Sequence, residues 1–177
     1  MTKKIVAFGA SNSSTSINKR LATYATTLFK EVKVEILDLN DFPIPTYSID
    51  IEKKEGIPQL AHDFLAKIGE ADLLIISMAE HNGNYTAAFK SIFDWVSRIN
   101  VKLFQGKKIL LLATSPGSRG GSSVLEIAKE RFPRHDATIV NTFSLPSFND
   151  NFDYEKGIIT NEDLKKELIN IIKSIDL

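Results

Sequence analysis

The residues with the most chemical content lie near the N-terminus, in the run Ser11-Asn12-Ser13-Ser14-Thr15-Ser16-Ile17-Asn18. An apolar strand pattern, Ile5–Phe8, leads straight into it, and a helix pattern through Leu21, Ala22, Ala25, Leu28 and Phe29 follows. A loop at that junction sits over a helix N-terminus, where unpaired N–H groups and the positive end of the helix dipole attract anions. Five hydroxyl side chains within eight residues, with the amide of Asn18, add further donors. The run reads as a phosphate cradle without a lysine. A plain helix N-cap is the alternative, since Ser and Thr favour that position, although one cap uses one hydroxyl.

Two more polar loops follow apolar runs: Met78-Ala79-Glu80-His81-Asn82-Gly83-Asn84-Tyr85, and Thr114-Ser115-Pro116-Gly117-Ser118-Arg119-Gly120-Gly121. Open α/β sheets bind ligands beyond the carboxyl ends of their strands, near the point where strand order reverses. Three loops converging there suit a large ligand with a phosphate end and a planar end. Each also has a purely structural reading. Asn82-Gly83 fits a tight turn with positive φ, and Gly117, Gly120 and Gly121 fit either turns or the close approach of backbone to a flat ring.

Other chemistries lack their residues. No G-x-x-x-x-G-K-[ST] phosphate loop and no G-x-G-x-x-G after the first strand is present. Nor is there a G-x-S-x-G nucleophile elbow. The three histidines lack ligand spacing and cysteine is absent, so no metal site is expected. His62 and His135 read as surface residues, whereas His81 lies in a candidate site. The helix pattern Tyr85–Arg98 carries Phe89, Phe93 and Trp95, a stripe that suits a core or a subunit interface.

The elements that must position these loops alternate along the chain. Strand patterns occupy Ile5–Phe8, Val32–Leu37, Leu73–Ser77, Ile109–Thr114 and Thr138–Phe143. Helix patterns occupy Asn18–Lys30, Pro58–Ile68, Tyr85–Arg98, Ser123–Arg131 and Asn161–Ile175, the last opening on Thr160-Asn161-Glu162-Asp163. It places Leu164, Leu168, Ile171, Ile172 and Ile175 on one face. Near-continuous apolar strands between helices imply an α/β fold with a parallel, doubly wound sheet, expected as one domain over residues 1–177. Ser144–Ile159 reads as an ordered surface loop or a partner contact. With 43% hydrophobic residues and 22 basic against 22 acidic side chains, the chain can bury a core and has no charge excess. Nothing recommends nucleic acid or a membrane as a partner, and the cytoplasm is the expected location.

Taken together, the three loops resemble the NAD(P)H-dependent FMN reductases, flavodoxin-like enzymes that include flavin, azo-dye, quinone and chromate reductases. Against the family pattern G-S-x-R-x-x-S-x-N stand Ser11, Ser16 and Asn18; against P-E-Y-N stand Ala79-Glu80-His81-Asn82; against S-x-G-x-x-G-G stand Ser115, Gly117, Gly120 and Gly121. The segments Phe89-Lys90-Ser91-Ile92-Phe93-Asp94-Trp95 and Asp41–Ser48 are similar too. The resemblance implies a three-layer sandwich whose five parallel strands run in the order 2-1-3-4-5 with helices on both faces. It implies bound FMN, with NADPH or NADH as co-substrate, and hydride passed through the flavin N5 to a small acceptor such as a flavin, quinone, azo compound or metal oxyanion.

Residue by residue, it implies that Ser11, Ser13, Ser16, Ile17 and Asn18 hold the FMN phosphate. Ala79, Glu80, His81 and Asn82 would line the ribityl chain and the isoalloxazine edge, largely through backbone groups. Ser115, Gly117 and Gly120 would pack against the ring, and no side chain is assigned as a proton donor. A homodimer or homotetramer is expected, with the aromatic helix as the contact. The chain departs from the family at Ser13, where arginine is usual, at His81 for tyrosine and at Ala79 for proline. Arg119 is the candidate for the missing positive charge. An FMN-binding electron carrier or a flavin-binding module without nicotinamide activity remains the alternative; carriers of this fold tend to be strongly acidic, with a Thr/Gly-rich phosphate loop.

Overall fold

Successive side chains of a strand point to opposite faces of its sheet, so an apolar run without polar breaks needs cover on both sides. The computed structural model describes residues 2–177 and meets that need with helices on each face. In chain order the elements are β1 (Lys3–Gly9), α1 (Ile17–Thr27), β2 (Val32–Leu37), α2 (Ile49–Glu55), α3 (Gln59–Gly69) and β3 (Leu73–Met78). A short ribbon, β4 (Glu80–His81) and β5 (Asn84–Tyr85), precedes α4 (Ala87–Ile99), β6 (Lys108–Thr114), α5 (Ser122–Arg131) and β7 (Thr138–Leu145). Then come α6 (Phe148–Asn151), β8 (Phe152–Asp153), β9 (Ile158–Ile159) and α7 (Glu162–Lys173).

The main sheet is parallel, in the order β2-β1-β3-β6-β7. With the two ribbons set aside, this is the expected 2-1-3-4-5 order, and the fold is flavodoxin-like. Val6 and Phe8, Leu74 and Ile76, and Ile109 and Leu111 feed one core with α3, α4 and α5. Ile5 and Ala7, Leu73 and Ile75, and Leu110 and Leu112 feed the other with α1 and α7. Each buried Leu, Ile or Phe contributes roughly 1.5–3 kcal/mol, which fixes the helices over the sheet. Direction reverses between β1 and β3: the chain adds β2 on one side of β1, then crosses to the other. The carboxyl ends of these strands therefore open a crevice.

Three expectations are corrected. The rings of α4 face inward: Phe89, Phe93 and Trp95 are all buried, and Trp95 Nε1 donates to the Pro45 carbonyl at 2.7 Å. The chain's own core covers the stripe, so it offers no subunit contact. His135 is buried rather than on the surface; its Nδ1 lies 2.8 Å from the Val101 carbonyl oxygen and its ring packs edge-on against Phe93. Ser144–Ile159 is not a bare loop. Past the end of β7 it forms α6 and the β8–β9 ribbon, and it buries Phe148, Phe152 and Ile159 in the second core.

Candidate functional site

The crevice begins where β1 runs into α1. A Cβ on Gly9 would lie 2.3 Å from the Lys19 amide nitrogen, so only glycine lets the first turn of α1 sit against the strand end. Ser16 caps α1 by accepting from the Lys19 N–H at 3.1 Å. The N–H groups of Ile17 and Asn18 have no partner among the described residues and stand at the positive end of the helix. Upstream, Ser11 Oγ accepts from the Ser13 N–H (3.1 Å) and Ser13 Oγ from the Thr15 N–H (3.3 Å), which curls the loop over the helix start.

Asn18 does more than expected. Its side chain is buried, with Oδ1 accepting from Ser77 Oγ (2.7 Å) and from the Thr114 N–H (3.0 Å), while Nδ2 donates to the Thr114 carbonyl (3.1 Å). The amide thus latches the start of α1 to the ends of β3 and β6. Its own N–H remains free for an anion.

The second loop is a hairpin. Asn82 (φ 52°) and Gly83 (φ 74°) both take positive φ, as a two-residue turn matching the twist of β4 and β5 demands. Thr86 caps α4 by accepting from the Phe89 N–H (3.2 Å), and its hydroxyl donates to the Ala10 carbonyl (2.8 Å), tying this loop to the first. The Glu80 carboxylate accepts from the Val124 N–H at 3.0 Å, within the first turn of α5. It therefore serves that helix terminus. Burial pushes the Tyr85 hydroxyl up to about 12, with the nearby Arg131 charge opposing, and the hydroxyl has no hydrogen-bond partner.

In the third loop, Ser115 Oγ donates to the Gly117 carbonyl at 3.2 Å. Gly117 has open space where a side chain would stand, with only Ser115 Oγ as near as 3.9 Å. Gly120 differs: a Cβ there would strike Ser144 Oγ at 2.3 Å and the Pro146 nitrogen at 2.9 Å. Its small size is required for packing against the end of β7. Arg119 is exposed, and one of its guanidinium nitrogens donates to Ser123 Oγ at 2.7 Å.

These loops enclose a cavity of about 310 Å³ lined by Ser11, Ser13, Thr15, Ser16, Ile17, Asn18, Ala79, Glu80, His81, Thr114, Ser115 and Pro116. Nine of the residues expected from sequence meet there, namely all of these except Thr15, Thr114 and Pro116. Asn82, Gly117 and Gly120 are not in its wall. Sequence reasoning missed Gly9 and Thr86 as builders of the site; a glycine closing an apolar strand just before a hydroxyl-rich loop was the available signal for the first. No lysine or arginine lines the cavity, and among the described residues no group of three or more His, Asp or Glu side chains gathers to hold a metal.

Free N–H groups at a helix start, hydroxyls around them and a small-residue rim suit a phosphorylated flat ligand. The class is a flavodoxin-like nucleotide-binding protein. The chain matches the family model of NADPH-dependent FMN reductases over residues 3–150, and it belongs to that family. It is 26% identical to the NADPH:quinone oxidoreductase of Arabidopsis thaliana, over 95% of this chain and 89% of that one. It is 28% identical to the quinone reductase of Escherichia coli (strain K12), over 59% of this chain and 58% of that protein. Among solved structures, the flavoenzyme NAD(P)H:(acceptor) oxidoreductase FerB from Paracoccus denitrificans superposes with a TM-score of 0.77 at 20% identity, covering 98% of this chain and 94% of that one. The protein is accordingly an FMN-dependent oxidoreductase that uses a reduced nicotinamide as co-substrate.

Proposed function

We propose that this chain passes reducing equivalents from NADPH or NADH to a flat, electron-poor small molecule, a quinone foremost, with FMN held in the cavity beside α1. The carrying observation is the pair of free N–H groups at Ile17 and Asn18, inside a hydroxyl-rich loop at the strand-order switch point. The phosphate sits there, with Ser11, Ser13 and Ser16 offering hydroxyls. Backbone groups of Ala79, Glu80 and His81 face the ribityl chain and the ring edge and Ser115 borders the ring, while Asn82 and Gly117 adjoin the site from outside the cavity wall. Gly120 acts indirectly, by letting the third loop pack on β7.

FMN, when bound, supplies the hydride-accepting and hydride-donating chemistry. The chain's part is to bind, orient and polarise. The helix dipole and N–H pair attract the phosphate, with no lysine or arginine in the cavity wall. Donors fixed in advance along the ring edge stabilise negative charge as it develops. No side chain is assigned to proton transfer. A quinone acceptor is supported by the names of the Arabidopsis and E. coli relatives. Among the described residues no helix is long and apolar enough to cross a membrane, and we place the protein in the cytoplasm as a homodimer or homotetramer. The contact must then use a surface other than the buried rings of α4.

The test is anaerobic mixing of the FMN-loaded protein with NADPH or NADH, followed by a benzoquinone. Bleaching by the nicotinamide and recovery of the yellow colour with the quinone are expected. A yellow protein that neither nicotinamide reduces is an electron carrier instead, and a protein that takes up no FMN is a binding module that has lost its flavin.

A further inference from the structure

Beside the phosphate cavity lies a second one, of about 350 Å³, between α1 and the β8–β9 ribbon. The two share Thr15 and Ser16, the residues at the start of α1. Because the cavities adjoin there, a group attached to the outer side of a phosphate held in the first has a short path past those two residues into the second. We propose that this groove receives the adenylate half of FAD, so that the protein takes the dinucleotide as well as FMN. The inference rests on the phosphate placement proposed above.

Its lining carries the three kinds of group an adenylate needs. Arg20 provides a cation: its guanidinium carbon lies 3.4 Å from the centroid of the Tyr154 ring, and Nη1 donates to the Tyr154 carbonyl at 3.3 Å. Such a clamp holds the charge beside the groove before any ligand arrives, which lowers the ordering cost of binding. Lys19, also in the lining, is already paired with Asp38, so Arg20 is the cation facing a second phosphate. Thr23 and Thr27 stand one helical turn apart on the exposed face of α1. Their hydroxyls donate to the carbonyls of Lys19 (2.8 Å) and Tyr24 (2.7 Å), which leaves oxygen lone pairs free to accept from a ribose. The Thr methyl groups, with the edge of the otherwise buried Tyr24, supply apolar surface for a base. Gly157, at positive φ (67°) in the β8–β9 turn, has no atom within 4 Å of where a Cβ would stand, and it keeps the far wall clear.

The test is titration of the apoprotein with FMN and with FAD, read by flavin fluorescence or calorimetry, in the wild type, Thr23→Trp and Arg20→Ala. Thr23 is exposed and is not in the wall of the flavin cavity, so a tryptophan there obstructs the groove without replacing any residue of the phosphate loop. FAD is expected to bind within about tenfold of FMN, and each variant is expected to weaken FAD by about tenfold or more while leaving FMN unchanged. Failure of FAD to bind where FMN does overturns the inference, as does equal weakening of both flavins or of neither. A loss confined to NADPH or NADH affinity also overturns it, by assigning the groove to the nicotinamide dinucleotide. If FMN itself does not bind the wild type, the phosphate placement falls, and this inference with it.

Discussion

Replacing Asn18 by alanine separates the two roles that one residue combines. The substitution removes the acceptor for Ser77 Oγ and the Thr114 N–H, and the donor to the Thr114 carbonyl, all within buried structure. The Ser77 hydroxyl can turn to another acceptor, whereas the two Thr114 backbone groups are fixed by the strand. At roughly 1–3 kcal/mol for each buried group left unpaired, the loss is about 2–6 kcal/mol. That is a large part of the ~5–15 kcal/mol typical of a domain. With a urea slope near ~2 kcal/mol/M, the midpoint falls by roughly 1–3 M. The assay is equilibrium urea denaturation of the flavin-free protein, followed by far-UV circular dichroism, so that no cofactor contact contributes. Asn18→Asp should not rescue, because it sets a carboxylate oxygen against the Thr114 carbonyl. A midpoint shift worth under about 0.5 kcal/mol in the flavin-free Asn18→Ala protein would refute the latch, since that is the range of an ordinary surface substitution.

Gly9→Ala lacks room for its methyl group against the backbone of Lys19 and Asn18. It is expected to push α1 off the strand end and to lower FMN affinity by about tenfold or more, a change of ~1.4 kcal/mol or greater, in a flavin titration. The Lys19 ammonium beside Asp38 holds that carboxyl below its usual range, with the Asn40 N–H helping. This is a depressed folded-state pKa, so its stabilisation is present above the unfolded value near ~3.9 and is lost as pH falls through the folded value. Asp38→Asn should remove that part of the acid dependence in denaturation curves taken at falling pH. Tyr85 works in the opposite direction: burial raises its pKa to about 12, so the stabilisation is complete below the unfolded value near ~10 and is lost as pH rises through about 12. In an alkaline ultraviolet titration, Tyr85→Phe should remove the last tyrosine to ionise.

The parallel sheet was legible because both faces of each central strand are apolar, a pattern that Leu73–Met78 and Lys108–Thr114 carry plainly, whereas the strand order was legible only through the family resemblance. The start of α7 was legible too, with Asn161 capping it through the Asp163 and Leu164 N–H groups as the Thr-Asn-Glu-Asp run suggested. Helix α2 was not. Its seven residues are mostly charged and none is fully buried, with only Ile51 packing partly against the core, so no apolar stripe announces it; Ser48 caps it, and Glu52 pairs with Arg98 and Tyr47. His135 was misread because a lone histidine carries no periodicity of its own. Its burial depends on Phe93, distant in sequence and 4.8 Å away ring to ring. Within the site, residue type showed that Asn18 and Glu80 mattered, but not which atoms face the cavity. Only the fold shows that the Asn18 amide binds two strands and that the Glu80 carboxylate caps α5.

The central claim is that the start of α1 holds the flavin through its phosphate, with no cation in the cavity wall. The most direct measurement compares FMN with riboflavin, which lacks that phosphate, binding to the flavin-free protein. Two charge-assisted hydrogen bonds at Ile17 and Asn18, at ~1.5–3 kcal/mol each, correspond to about a hundredfold or more in affinity. FMN binding at least about a hundredfold more tightly than riboflavin is the predicted result. Equal affinities would contradict the account, because the hydroxyl-rich loop would then contribute nothing to holding the ligand.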